Sequence, residues 1–551
     1  MHEQGPFDRI LRTSPERDRT AAYVVAVIIG LGLLLLILVL PPVSILSRGE
    51  GSEEGGLGGI ITSAARGNLP QLPEGFESLS PLYDISAPED LRGTAVITVN
   101  LHAPQTDERN LALYTFVDGR WQRLAGASLV NDGTAAQGEV PLLPDNVAVL
   151  RRTETVRQVT GWLPSGAELD PRAGFSLTVL NPVDFAPASD GSLMGSPTPV
   201  PPDAPYQVYP TVRAASPEET QALDIILSSP ELRETHVNAI MEMVRSGAYG
   251  GVELDYRGVN ASRRDEFLEL VQALAEQLHG DGRGITMLLP LPVREGAEWD
   301  TGGYDWERLG ATVDAIKLAP ETDEGLYHRR MEEVLDFLTQ RVDRGKILLV
   351  VGPLSREKSG EGIRSLTLTE ALALASLPGL RAEGDIVPGQ TVRVVGENLV
   401  EEEGASGIHW DDEEALAVTF SYPGRGGKRT VWIGNVFSVL FKLDLARRYG
   451  LGGVAIEDVS LAAGQADIWP AIQEYADAGS VSLVRPNGDL LTPHWVASAG
   501  ELDTERGSAV QWQTPPEPGV YEVTLIVSDG VVRVGQRLAV EVLAPAGEAS
   551  P

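Results

Sequence analysis

Apolar and polar positions alternate through Gly250-Gly251-Val252-Glu253-Leu254-Asp255-Tyr256-Arg257. The alternation predicts a strand with Val252, Leu254 and Tyr256 on one face and Glu253, Asp255 and Arg257 on the other. An apolar face fits helices packed outside a parallel sheet, and a charged face fits the inside of a barrel near its functional rim. From about Glu154 to Ser480 such strands alternate with helical patterns. The candidate strands are Gln158 to Leu163, Ser176 to Asn181, Tyr209 to Arg213, Gly251 to Tyr256, Ile285 to Leu289, Ala315 to Leu318, Ile347 to Val351 and Gly453 to Glu457. Eight strands predict a (β/α)8 TIM barrel. Ser229-Pro230 opens one helix as N-cap and first-turn proline, with Leu232, Val237, Ile240 and Val244 inward. A second helix starts near Ser262, and Gly280 is placed to end it in the left-handed conformation.

The pattern is different on either side. Residues 79–152 read as short alternating strands of a small β-sandwich, with a hairpin signal at Asp118-Gly119. Residues 380–429 interrupt the barrel with strand-like pieces and are expected to be an insertion. Residues 481–545 return to strands, and Pro518 to Gly530 resembles the late strands of an immunoglobulin-like β-sandwich. The barrel is thus expected to span 153–480.

At the amino end, Ala21 to Leu40 carries no charge and matches one bilayer crossing of about 20 residues. Arg9, Arg12, Arg17 and Arg19 precede it, which predicts a cytoplasmic tail at 1–20. A single-pass transmembrane anchor at 21–45 and a glycine-rich flexible linker at 46–78 follow, with the bulk of the chain outside the cytoplasmic membrane. There is no cysteine, which excludes disulfides, thiolate metal sites and cysteine nucleophiles. The net charge of -34 argues against nucleic acid as a partner. No zinc-binding histidine pair or phosphate-binding glycine loop is present, so no metal or cofactor is expected. Asp411-Asp412-Glu413-Glu414 lacks the alternating spacing of a calcium loop and reads as a solvated turn.

The strand at 250–257 resembles the signature of glycoside hydrolase family 18, Asp-Gly-x-Asp-x-Asp-x-Glu, whose last residue is the general acid. Tyr304 to Gly310, Val431-Trp432, Tyr449 to Val454 and Asp467-Ile468-Trp469 add ordered segments similar to the family's spore-germination and cortex-lytic branch. The resemblance implies a substrate-assisted hydrolase. Asp255 matches the aspartate that orients the acetamido group. Arg257 stands where the acid should be, and arginine cannot deliver a proton near neutral pH. Glu321 stands at the expected tyrosine and Glu457 at the expected tryptophan. Three of four functional positions depart from the pattern, which favours lost chemistry.

Glu253, Asp255, Arg257, Lys317 and Glu457 are all expected inside the barrel, and buried charges must pair or titrate. One arrangement is a paired network that plugs the rim. Another is an open cleft in which Glu253, Asp255, Arg257, Trp162, Asn181 and Trp299 bind a sugar, with Tyr304 near the same strand ends. A third makes Glu321, Glu457 or Asp458 a relocated acid. Three functions follow: a catalytically inactive protein binding N-acetylglucosamine-containing envelope glycan or acting as a surface scaffold, an active hydrolase of chitin-like or peptidoglycan substrate with a relocated acid, and a purely structural adhesion or interaction protein. An open cleft favours either of the first two and a closed, paired rim the third.

Overall fold

The computed structural model describes residues 43–47, 62–72, 76–86, 95–106, 111–117, 119–140, 142–153, 157–201 and 204–544. The chain divides into two compact units, 1–153 and 154–551. The predicted tail and residues 21–42 of the predicted anchor lie outside the described residues. Val43–Ser47, expected to finish the anchor and begin the linker, is a strand antiparallel to Ala95–Asn100. No helix among the described residues is long and apolar enough to cross a membrane.

The first unit is a two-sheet β structure. One sheet runs in the order Val43–Ser47, Ala95–Asn100, Ala135–Val140, Ser128–Val130. The other runs Thr62–Ala65, Tyr83–Ser86, Asn146–Arg152, Leu111–Val117, Arg120–Gly126. Ile97, Val99, Leu113, Val147 and Val149 are fully buried in its core, as strict alternation requires. The hairpin forms at Gly119, whose φ of 78° suits glycine. Two differences from the expected flexible linker stand out. Thr62–Ala65 and Phe76–Ser78 pair into the second sheet, so the sandwich recruits strands from a stretch whose composition read as a tether.

The second unit contains the barrel. Its strands are β1 (Gln158–Pro164), β2 (Val179–Val183 continuing as Phe185–Pro187), β3 (Thr211–Ala214) and β4 (Gly251–Tyr256). They continue as β5 (Gly284–Leu289), β6 (Ala315–Leu318), β7 (Ile347–Val351) and β8 (Gly453–Ile456). Every neighbouring pair is parallel, and β8 pairs back onto β1, closing the ring. Closure demands close backbone approach. At Gly453 φ is 154°, and a Cβ there would lie 2.0 Å from the Gln158 carbonyl oxygen.

The helices are α1 (Pro217–Ser228), α2 (Pro230–Ser246), α3 (Arg264–Gly280), α4 (Trp306–Thr312) and α5 (Tyr327–Leu338). They are followed by α6 (Leu368–Ala375), α7 (Val436–Arg448) and α8 (Trp469–Ala478). Ser229 caps α2 through its hydroxyl, which accepts from Leu232 N–H at 3.3 Å, as the Ser-Pro signal predicts. The left-handed residue after α3 is Gly282, with φ 69°, and not Gly280, which stays helical. Among the described residues only a 3-10 turn, Ala173–Phe175, lies between β1 and β2, and no helix separates β2 from β3.

The expected insertion at 380–429 is split between two structures. Ser355–Ser359, Gly362–Leu366, His409–Asp411, Ala417–Gly424 and Gly427–Ile433 form an antiparallel five-stranded sheet, so the excursion begins earlier than expected. Pro378–Arg381 instead pairs with Thr391–Gly396, which pairs in turn with Ala509–Gln513, so both belong to a sheet of the C-terminal sandwich. The opposing sheet is His494–Ala497, Gly519–Ser528 and Arg533–Val542. Trp495 and Trp512 are fully buried in this module. One continuous apolar core joins barrel, insertion and C-terminal sandwich.

His328 on α5 is packed into this core beside Tyr327, and its Nε2 has no hydrogen-bond partner. Burial, with Lys442 and Arg448 adding repulsion, pushes its pKa down to about 3. The unfolded chain takes up this proton near pH 6.5 while the fold refuses it, so stability falls as pH drops between those values. At pH 5 the unit should be about 2 kcal/mol less stable than at pH 7 from this group alone. Urea unfolding at the two pH values, with His328→Asn flattening the difference, checks the expectation. An unchanged pH dependence in the variant would refute it.

Candidate functional site

The alternation of β4 sets the site. Tyr256 points outward, where its hydroxyl meets His236 Nε2 of α2 at 2.5 Å, and His236 Nδ1 meets the Gly191 carbonyl at 3.0 Å. Burial raises the Tyr256 pKa and lowers that of His236, so both are neutral spacers between strand and helix. Tyr304 also packs behind the strand, donating to the Tyr256 carbonyl at 2.9 Å.

Glu253 and Asp255 point into the barrel, and neither is exposed to solvent. Glu253 accepts short hydrogen bonds from Trp162 Nε1 and Lys317 Nζ, and longer ones from Thr211 and Thr286, both at 3.3 Å. Lys317 Nζ also donates to Asn181 Oδ1 at 2.7 Å and lies 4.5 Å above the Trp162 ring. Burial lowers the Lys317 pKa, and Glu253 opposes that shift. β1, β2, β3, β4, β5 and β6 thus each send a residue into one dry polar knot. Trp162 and Asn181 serve as partners of the ion pair and present little surface, being 5% and 0% exposed.

Asp255 forms a second layer toward the mouth. Its Oδ1 accepts from Arg257 Nε at 2.7 Å, and its Oδ2 accepts from Arg257 Nη2 at 2.9 Å and Arg213 Nε at 2.7 Å. The side chains of Arg257 and Arg213 remain 50% and 32% exposed, so this layer faces solvent. The hydrogen bond to Asp255 raises the Arg257 pKa still further, which removes any role as proton donor.

The other candidate acids are also engaged. Glu457 receives Arg356 Nη2 on both carboxylate oxygens at 2.6 Å. Glu321 pairs with Arg330 at 3.1 Å. Asp458 accepts from Ser460 N–H at 2.8 Å and Gln465 Nε2 at 3.3 Å, an arrangement that shapes a turn. Trp299 sits on the hairpin Val293–Glu295/Glu298–Asp300 and stacks on Phe337 of α5, with centroids 4.7 Å apart. It is held by packing, and no described contact joins it to the charged layers. Asp411 accepts from the backbone N–H groups of Glu413 and Glu414, closing a turn.

Two residues central to this geometry escaped the sequence reasoning. Arg213 carried a usable signal, since Thr211 and Arg213 alternate inward on β3 like Glu253 and Asp255 on β4. Arg356 carried none, because it reaches Glu457 from the inserted sheet, 101 residues away in the chain.

The fold is a (β/α)8 barrel, and the position where the sequence resemblance expects an acid carries an ion-paired arginine. No family model matches the chain. The putative sporulation-specific glycosylase YdhD of Bacillus subtilis is 32% identical over 95 residues, 17% of this chain and 22% of that protein. The uncharacterized glycosylase YvbX of the same organism is 17% identical over 266 residues, 45% of this chain and 68% of that protein. The match to YdhD therefore spans about a fifth of that relative. Among solved structures, a chitinase from Chromobacterium violaceum has a TM-score of 0.45 at 21% identity, covering 58% of this chain and 99% of its own. The spore cortex-lytic enzyme SleL of Bacillus megaterium has a TM-score of 0.46 at 16% identity, covering 61% and 78%.

Proposed function

We propose that the chain is a membrane-anchored, extracytoplasmic family 18-like protein whose barrel holds N-acetylglucosamine-containing envelope glycan without cutting it. The observation that carries this reading is the Arg213–Asp255–Arg257 layer. A positioned acid is replaced by a permanent cation, and the orienting carboxylate is occupied by two guanidiniums. Hydrolysis needs a proton donor at the leaving oxygen, and Glu457 and Glu321 are each tied to an arginine. Binding needs less. Arg213 uses only Nε toward Asp255, leaving both Nη groups of a part-exposed guanidinium without a partner among the described residues. Those N–H groups suit the carbonyl of an acetamido group. The glycosylase relative supports a glycan as the ligand class. The anchor rests on the charge-free run at 21–40 and the arginines before it.

Co-sedimentation of the full chain with chitin and with peptidoglycan tests the reading. The parent should be retained, and Arg213→Ala or Arg257→Ala should weaken retention about tenfold. Because Arg257 is half exposed and Arg213 still covers Asp255, Arg257→Ala should leave the fold intact. No retention of the parent would eliminate glycan binding at the barrel and leave a scaffold role.

A further inference from the structure

The C-terminal sandwich carries a second candidate site, independent of the barrel mouth. Along Gly519–Ser528 the side chains of Val523, Leu525 and Val527 are buried between the sheets, which turns Thr524, Ile526 and Ser528 to the other face. On that face a hollow of about 600 Å³ opens, a size that suits a ligand of a few rings. Strand register explains its shape. Ile526 sits in the centre, flanked by His494 on one side and Gly535 on the other, with Arg506 bridged to His494 beyond it. Gly535 has no side chain to fill the floor, while Arg533 and Arg537, two residues to either side, rise opposite Ser528 and Thr524.

The charge of this hollow is opposite to that of the chain. The sequence holds 78 acidic and 44 basic residues, yet three arginines converge here against one aspartate, Asp489. Arg506 and Arg533 have no carboxylate within ion-pair distance among the described residues. Arg537 reaches only Glu522 at 3.4 Å, an exposed contact that solvent screens. Unpaired guanidiniums around an apolar floor form a binding arrangement for an anion attached to a partly apolar body.

We infer that this groove binds an anionic polysaccharide strand. Its carboxylate or phosphate groups meet Arg506, Arg533 and Arg537, a sugar face lies over Ile526, and Thr492 and Thr524 offer hydroxyls to the sugar.

Affinity electrophoresis of the full chain in gels carrying polygalacturonate, phosphomannan or neutral dextran tests the site. One or both anionic polymers should retard the protein, and which one does so identifies the anionic group. Dextran should not. Arg506→Ala/Arg533→Ala/Arg537→Ala should weaken retardation at least about tenfold, and added salt should weaken it in the parent. Gly535→Val keeps every charge while filling the floor, with Ile526 and Thr524 having to give slightly at 3.2 and 3.4 Å from the new Cβ, and it should weaken binding similarly. Removing three arginines elsewhere, Arg294→Ala/Arg393→Ala/Arg448→Ala, should change nothing. Retardation by neither anionic polymer, equal retardation by dextran, insensitivity to the groove variants or an equal loss in the control triple would each overturn the inference. Arg257→Ala should leave this binding untouched, so the barrel reading and the groove stand or fall separately.

Discussion

Lys317→Met should destabilise the barrel unit by about 3–5 kcal/mol, the cost of removing one partner from a buried ion pair. Lys317 and Glu253 are both fully buried, and the pair is completed by Trp162, Asn181, Thr211 and Thr286. Without the ammonium, the Glu253 carboxylate is left as a buried charge with three neutral donors and no counter-ion. Glu253→Gln/Lys317→Met removes both charges and should recover much of the loss, because neither partner is then left as an uncompensated ion. Urea unfolding of the full chain, with the barrel transition followed separately from that of the first unit, measures both variants. A loss under about 1 kcal/mol for Lys317→Met would show that this knot is not the anchor of the barrel interior. By contrast Arg257, which the sequence places among the inward charges, lies half exposed and should contribute far less.

No product should be released from chitin oligomers or peptidoglycan at any pH between acid and neutral. A positioned general acid is worth about 10²–10⁴-fold in rate, and its position carries a guanidinium whose pKa Asp255 raises further. Arg257→Glu should regain little of that. The expected tyrosine and tryptophan positions remain Glu321 and Glu457, and Arg213 still holds the Asp255 carboxylate. Turnover that survives Arg257→Ala but disappears in Glu457→Gln or Glu321→Gln would defeat this expectation and establish a relocated acid. The Arg356 pair on Glu457 argues against that outcome, because both carboxylate oxygens are already held by one guanidinium.

The barrel was legible because strand alternation and strand–helix rhythm are local properties. All eight strands fall within a few residues of where period-two patterning puts them, and Ser229-Pro230 marks its helix by hydrogen-bond chemistry confined to one turn. The same alternation assigned Glu253 and Asp255 to the interior and Tyr256 to the helix side. Composition misled where pairing is remote. Glycine content made 46–78 read as a tether, yet strands there close a sheet with residues far along the chain. Thr391–Gly396 brings Pro378–Arg381 into the C-terminal sandwich because its other hydrogen-bond partners lie at 509–513, a distance that local patterning does not encode.

What the sequence determined alone is that Glu253, Asp255 and Lys317 face the barrel interior and that an arginine stands at 257, where the family 18 resemblance expects an acid. Only the tertiary structure decided how those charges divide. Lys317 reaches Glu253 across the barrel and leaves Asp255 to Arg257 and to Arg213 from the neighbouring strand, while Arg356 arrives from the inserted sheet to take Glu457. Pairing depends on side-chain reach inside the barrel, from β6 past β5 to β4 and from β3 to its neighbour β4, so a dry inner knot and a wetter outer layer emerge from residues that the sequence presents as one set.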